Sequence, residues 1–515
     1  MRSKQFLKTR AVPVLLTAAM ATSLAACASK TDTSATTSSP TGKVSAEDKK
    51  FAADQPYELS LSTSIAGEPP APGNEVELAI QKNTGVTLKM QWIPAAAMKD
   101  KENIMIASGE LPKAMVVNYD TPVLSAMRNG TFWELGPLLK DYPTLSKIDP
   151  SFYNNIKVDG KIYGIPKARE IARNATIYRK DWLDALGLKE PKTPEDQYNI
   201  IKAFTLNDPD KNGKNDTVGY NMNKDFTAFD KMVVIFGGPN RWGVVDGKVT
   251  PAWMTKANMD ALNWYKRLYD EKLMNQDFAV TEKATVDKNW AAGKIGMVDA
   301  VVLAAGQSQG TAVKKNNPAA QTDFFTTLDA GSGPRIDGAS YNDGFVAIPK
   351  SSVKTEAEVR RILSYFEKMS ADPEMATLMN SGMEGIEYKV DNGLIVQTDA
   401  DKFGKFIKPY RDGVSRDYSI NPKATKDDPL VKKGNQAAKD NLKNAILNPF
   451  LSFNSTTYLE KGAELDQMIT DARVKYIMGK LDGAGFQQEV DKWLKAGGQK
   501  IIDEYTAEYA KTAKK

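Results

Sequence analysis

Residues 86–92 read VTLKMQW, and no other feature restricts the fold of this chain as much. Val86, Leu88, Met90 and Trp92 fall on one face and Thr87, Lys89 and Gln91 on the other, the period-two pattern of a strand with one buried side. Tyr57, Leu59 and Leu61 alternate with polar residues in the same way, and Ala114–Val117 gives a third apolar run that ends at Asn118 and Tyr119. Segments of helical character lie between them, such as 74–82. Strands alternating with helices predict an α/β fold built on parallel sheet. In such sheets ligands lie beyond the carboxyl ends of the strands, which makes Trp92, Asn118 and Tyr119 candidate contacts.

A chain of 515 residues is too long for one core, so two or more lobes are expected. Its N-terminus has a basic start followed by the mostly apolar stretch 11–26, as in a secretory signal. That stretch ends in Leu24, Ala25, Ala26 and Cys27, the pattern of a bacterial lipobox, and Cys27 is the one cysteine in the chain. Lipid on Cys27, with the Ser/Thr-rich stretch from 29 to about 54 as a flexible tether, would anchor the protein to an outward-facing membrane surface. No second segment reads as membrane-spanning, and no internal repeat is present. Arg2, Lys4, Lys8 and Arg10 account for four of the formal charges in the net +5, so the chain beyond the signal is close to neutral and offers no basic field for nucleic acid. There is no histidine, which excludes Ser-His-Asp triads and histidine-ligated zinc. With Cys27 spent on lipid, disulfides and thiolate chemistry are excluded as well.

Helix starts are well marked further along. Thr193, Pro194, Glu195 and Asp196 supply a cap, a first-turn proline and acids at the positive end of the helix dipole. Thr355 with Glu358 reads as a capping box ahead of the apolar face Val359, Ile362, Leu363 and Phe366. Phe486, Val490, Trp493 and Leu494 form a last stripe, stopped by Gly497 and Gly498. The stretch 207–216, NDPDKNGKND, has oxygen-bearing residues at every second position. Asp208, Asp210, Asn212 and Asp216 occupy places one, three, five and nine of a loop bent at Gly213, and Lys214 could add its carbonyl. Place twelve, where an EF-hand needs glutamate, is Gly219. The stretch reads either as a calcium loop of another kind, with Ca2+ as a structural staple, or as an Asx-rich turn without metal.

Several stretches together carry a family resemblance: GKIYGIP from Gly160, IYRKDWLDALGLKEPKTPEDQY, AFTLNDPDKNGKNDTVGY, GKIGM at 293–297, GFVAIPK at 344–350, SGMEGIEY at 381–388 and KWLKAGGQKIIDEY near the end. In this order the chain resembles the family 1 extracellular solute-binding proteins of carbohydrate ABC importers, specifically the large LipO-like lipoproteins. The resemblance implies an α/β, two-lobed periplasmic-binding-protein-like fold of type II, with a hinge between the lobes. It implies lobe 1 over 56–168 and 340–390, and lobe 2 over 169–339 and 391–515 with the calcium loop 208–216. It further implies an oligosaccharide ligand, membrane permease subunits of an importer as partners, a monomer without catalysis, and calcium on Asp208, Asp210, Asn212, Lys214 and Asp216. Two positions depart from the family's pattern: Thr217 stands where a glutamate is usual, and Glu387 where many relatives carry histidine.

The sugar contacts follow from chemistry. Sugars stack their C–H faces on Trp and Tyr, and their hydroxyls need paired donors and acceptors. That makes candidates of Trp92 and Tyr119 at strand ends, and of Trp242 in the Gly/Pro-rich stretch GGPNRWGVV. Tyr341 and Asn342 stand before the GFVAIP strand, Arg169 follows GIPK, and Arg411 lies in a segment that reads as irregular. Trp182, Trp493 and Met297 read as core, and Trp290 could be either. Two rival readings remain at this level. One is a receptor for a peptide or another small ligand on the same fold. The other is a surface glycan-degrading enzyme using Glu384 and Glu387, a spacing that is cheap in a chain with 64 acids.

Overall fold

The computed structural model describes residues 51–512 apart from 53–54, 66, 169, 227, 339–341, 414–427, 452 and 454. The strands that organise it are β1 (Tyr57–Ile65), β2 (Val86–Pro94), β3 (Ala114–Val117), β4 (Gly164–Ala168), β5 (Asn174–Arg179), β6 (Val218–Tyr220), β7 (Ile295–Val301), β8 (Thr322–Phe325) and β9 (Asn342–Ala347). Among the described residues they form a five-stranded sheet in the order β2-β1-β3-β9-β4 and a four-stranded sheet in the order β8-β5-β7-β6.

β1 pairs parallel with β2 and β3, and β9 runs antiparallel to β3 and β4, so β4 points the same way as β1, β2 and β3. β1 starts with the expected alternation, Tyr57, Leu59 and Leu61 being buried. Ser62 and Thr63 are then buried in turn, because β1 lies between two neighbours with both faces covered. On β2 the predicted face holds, with burial declining from Val86 and Leu88 to the half-buried Met90 and Trp92 near the sheet's edge. In the second sheet β7 is antiparallel to β5 and parallel to β6, while β8 is antiparallel to β5.

The helix Glu75–Thr84 starts where Asn74 Oδ1 accepts from the amides of Val76 and Glu77, and stops at Gly85, whose φ of 69° is left-handed. The helix Pro194–Leu206 carries a reciprocal capping box between Thr193 and Asp196. At the helix Glu356–Ala371 only half of the expected box forms. Thr355 caps Glu358, but the Glu358 carboxylate turns into the core, accepting from the Tyr57 hydroxyl at 2.9 Å and pairing with Lys113 at 3.2 Å. Gly497 (φ 148°) kinks the C-terminal helical path, which resumes as Gln499–Thr512, where the sequence reads as a stop.

Each sheet has its own core. The first gathers residues from Tyr57 to Ile165 and from Phe345 to Tyr410, and the second runs from Tyr178 to Tyr505. A smaller cluster around Trp290, Ile295 and Phe324 backs the second sheet. Phe403, Ile407 and Tyr410 belong to the first core, so the stretch after 391, expected with the second lobe, packs on the first at least as far as Tyr410. The reason is apolar burial at a distance: Tyr410 is fully buried against Trp92, more than 300 residues upstream. Among the described residues no helix is long and apolar enough to cross a membrane.

Candidate functional site: two facing sheet edges

Two crossings of the chain define the site. Ala168 ends β4 in the first sheet and Asn174 begins β5 in the second, separated by residues 169–173. Residues 338–341 likewise separate Asp337 from the start of β9. Linkers this short span at most about 20 Å, so the carboxyl edge of the first sheet lies opposite the corresponding edge of the second.

The first edge is aromatic. Trp92 is half-buried, its ring edge-on to Tyr410 at 5.2 Å. Tyr410 is locked from behind, donating to Glu77 Oε1 at 2.8 Å and accepting from Asn74 Nδ2 at 2.7 Å. Tyr119 donates to the Lys157 carbonyl at 2.7 Å, and burial pushes its phenol up to about 12. Arg411 falls in the helix Lys408–Gly413 where the sequence reads as irregular, and its Nε donates to Asp412 at 2.8 Å. Beneath this edge Glu102 is fully buried, and neither carboxyl oxygen has a well-formed hydrogen bond. Burial and then the Asp120 carboxylate raise it to about 8, which the Asn118 amide only partly opposes.

The second edge is charged. Asp299, on β7, accepts from Thr176 at 2.7 Å and from Lys231 at 2.9 Å through one oxygen, and from Tyr220 at 2.5 Å through the other. Lys231 is buried and also donates to Thr176. Burying an ion pair rarely raises stability over an apolar alternative, whereas removing one partner of a formed pair is costly, so Lys231 and Asp299 hold one another in place. Asp337, the last residue of a short strand before the crossing, accepts from Asn174 Nδ2 at 2.7 Å, with its other oxygen unpartnered. Burial raises Asp337 to about 6, against the pull of Lys231 and Asn174.

The candidates read from sequence divide accordingly. Trp92 and Tyr119 stand at the first edge, and Asn342 begins β9 opposite Ala168. Arg169 and Tyr341 lie outside the described residues, as does Cys27. Trp242 is a correction. It begins the hairpin strand Trp242–Val245 and sinks into the second core, 4.9 Å from Tyr505 and 5.4 Å from Trp253. A glycine-rich neighbourhood sets the turn, while rings more than 250 residues away decide where the indole goes. Trp182, Trp493, Met297 and Trp290 are all buried. Glu387 is buried too, and its Oε2 accepts from the Met383 amide at 2.8 Å to close a turn. Sequence reasoning missed Asp299 and Lys231, whose roles arise from pairing across strands and carry no local pattern.

The loop at 208–216 is ordered by its own side chains. Asp208 accepts from the amides of Asn212 and Gly213, and the Asn212 side chain donates to Asp210 at 2.8 Å and to Asp216 at 3.1 Å. Burial, a hydrogen bond with Asp208 and the nearby Asp216 raise the Asp210 pKa. Among the described residues no three acidic or other metal-binding side chains are assembled to hold an ion as they stand; here the Asn212 amide occupies the space between two carboxylates. The donor oxygens are those that a hard cation takes, and their mutual repulsion is what such a cation relieves, so the residues fit calcium in kind. Gly219 explains the missing glutamate at place twelve, since a Cβ there would meet the Ile201 carbonyl at 2.1 Å. Thr217 instead anchors the loop, donating to the Phe204 carbonyl at 2.8 Å.

Comparison with known proteins gives a consistent result. Residues 69–371 match the bacterial extracellular solute-binding protein family. The chain is 35% identical to lipoprotein LipO of Bacillus subtilis, covering 87% of this chain and 91% of the relative. It is 34% identical to the polygalacturonan/rhamnogalacturonan-binding protein YtcQ of the same organism, covering 90% and 93%. Among solved structures, S. pneumoniae FusA in complex with kestose matches with a TM-score of 0.66 at 19% identity, over 89% of this chain and 100% of that one. Alginate-binding protein AlgQ2 without calcium ion also matches at 0.66 and 19% identity, over 89% and 98%. These likenesses establish the two-lobed α/β fold of solute-binding proteins.

Proposed function

The chain belongs to the bacterial extracellular solute-binding protein family, and from that premise we propose that it captures an oligosaccharide between its two sheet edges and delivers it to the permease subunits of an ABC importer. The observation that carries this reading is the pairing of edges. A half-buried tryptophan and tyrosine stand at one edge and a fixed, partly exposed carboxylate at the other, and sugars need both kinds of surface. Relatives named for polygalacturonan, rhamnogalacturonan and fructooligosaccharide support the ligand class. Affinity would come from tighter binding to the closed arrangement, with no bond of the sugar broken. Lipid on Cys27 would hold the protein, as a monomer, at the extracytoplasmic face of the membrane, in keeping with the lipoprotein relative. Calcium held by Asp208, Asp210, Asn212, Lys214 and Asp216 would staple one loop of the second lobe, away from the ligand.

Thermal unfolding of the chain from about residue 50, with one plant or bacterial oligosaccharide at a time, tests the proposal. A ligand at a hundredfold its dissociation constant adds about 2.7 kcal/mol, a shift of a few degrees for a protein of this size. A shift with one sugar class is the expected result. Shifts with peptides and with no glycan would make this a peptide receptor, and steady release of reducing ends would make it an enzyme.

A further inference from the structure

Arg241 stands next to the residue that the sequence picked out. Trp242 turns into the core, while Arg241, at a left-handed φ of 63°, keeps its side chain 45% exposed. Its Nη2 donates to Asp466 at 2.8 Å, and the same carboxylate oxygen accepts from the Tyr458 hydroxyl at 2.8 Å. Burial opposes the charge on this guanidinium, but Asp466, Tyr458 and Asp230 outweigh it and raise its pKa. Asp230 also pairs with Arg473 at 3.1 Å and begins the same helical turn as Lys231, so the group is continuous with the Asp299 edge. Asn240, one residue earlier, donates to the carbonyls of Gly338 and Ile446, which ties the turn to the strands beside the crossing. The half-buried Tyr458 ring lies flat over Gly462, where a Cβ would meet ring carbons at 2.9 Å.

The guanidinium is thus held from behind with donors left over, beside an aromatic ring and two carboxylates, Asp230 and Asp466, whose side chains are 26% and 29% exposed. A planar fork of donors, a ring and adjacent acceptors are what vicinal hydroxyls require. The charges also balance. Lys231, Arg241 and Arg473 are each paired with an aspartate, and Asp337 stands two residues from Arg335, whose guanidinium donates to the Val234 and Gly238 carbonyls, so four cations and four acids leave this group of residues without net positive charge to favour a chain of carboxylates. We propose that Arg241, backed by Asp466 and Tyr458, is a recognition element of the second lobe, and that it takes the hydroxyls of a neutral oligosaccharide in preference to the carboxylates of a uronic one. The proposal rests on the receptor reading above.

Calorimetric titration of the mature chain decides it, using neutral trisaccharides (kestose, maltotriose, xylotriose, galactotriose) against trigalacturonate and trimannuronate at one ionic strength. A neutral trisaccharide should bind at least tenfold tighter than either uronate. Arg241→Ala should weaken it about a hundredfold, with Arg241→Lys restoring little because a lysine lacks the fork. Tyr458→Phe guards against misfolding, since it keeps the packed ring and removes only the hydroxyl that donates to Asp466. It should unfold close to the parent and still lose severalfold in affinity. Tighter binding of a uronate, or unchanged affinity in Arg241→Ala and Tyr458→Phe, overturns the proposal and leaves the receptor standing. Silence from every sugar overturns the receptor reading and this proposal with it.

Discussion

The two sheet edges are built by opposite means. On the first, Trp92 rests edge-on against the Tyr410 ring and Tyr119 is fixed by a hydrogen bond to a backbone carbonyl, with charged groups such as Glu77, Arg128 and Asp159 nearby but not bonded to either ring. On the second, position is fixed by buried charge, with Asp299 taking three donors and Lys231 two acceptors. The contrast shows that stacking surfaces need only packing to hold them, whereas a carboxylate that must stay ionised beside a core needs a buried cation and donors around it.

The largest effect should come from breaking the charged edge. Asp299→Ala leaves Lys231 buried without its counter-charge and should cost about 3–5 kcal/mol in urea unfolding. An apolar edge residue treated alike has no such penalty, so a loss under about 1 kcal/mol would erase the distinction.

Each lobe also holds an acid whose pKa is raised far by desolvation, the buried Glu102 in the first and the half-buried Asp337 in the second. Burial raises the folded pKa of both, so the stability they permit is whole below the unfolded value and is lost as pH rises through the folded one. The window runs from 3.8 to about 6 for Asp337 and from 4.5 to about 8 for Glu102. Glu102→Gln should therefore stabilise the protein at pH 8, on the order of a few kcal/mol, and do little at pH 4. Asp337→Asn should act over the narrower range and by less. Melting curves of the two variants from pH 4 to 8 check the order, and equal windows would refute it.

Trp92→Ala should weaken sugar binding about tenfold to a hundredfold while moving the unfolding midpoint less than a core substitution would, because the indole is only half-buried. Titration beside a melting curve separates the two terms. The smallest effect concerns the loop at 208–216, which touches neither edge. Calcium at tenfold its dissociation constant should raise the midpoint by a degree or two. A chelator, or Asp210→Asn, should remove that gain with sugar affinity unchanged.

Legibility followed the range of the interaction. Alternation along 86–92, the caps at Asn74 and Thr193 and the spacing of the 208–216 loop are local, and each was readable because the contacts concerned lie within a few residues. The two-lobed fold was legible through the family resemblance, which gathers stretches from Gly160 to the C-terminal segment KWLKAGGQKIIDEY. Glu358 looked like a capping residue and became a buried partner of Tyr57, 301 residues away.

What the sequence determined by itself was the α/β class, the absence of histidine, the oxygen-rich loop and the place of Trp92 and Tyr119 at strand ends. Tertiary structure alone decided that Trp242 is core and Arg241 exposed, that Tyr410 closes the first core, and that Asp299 is held by Lys231. The reason is physical. A local pattern fixes backbone period and hydrogen bonding along the chain, but whether a side chain is buried, paired or presented depends on groups that only folding brings within a few ångströms.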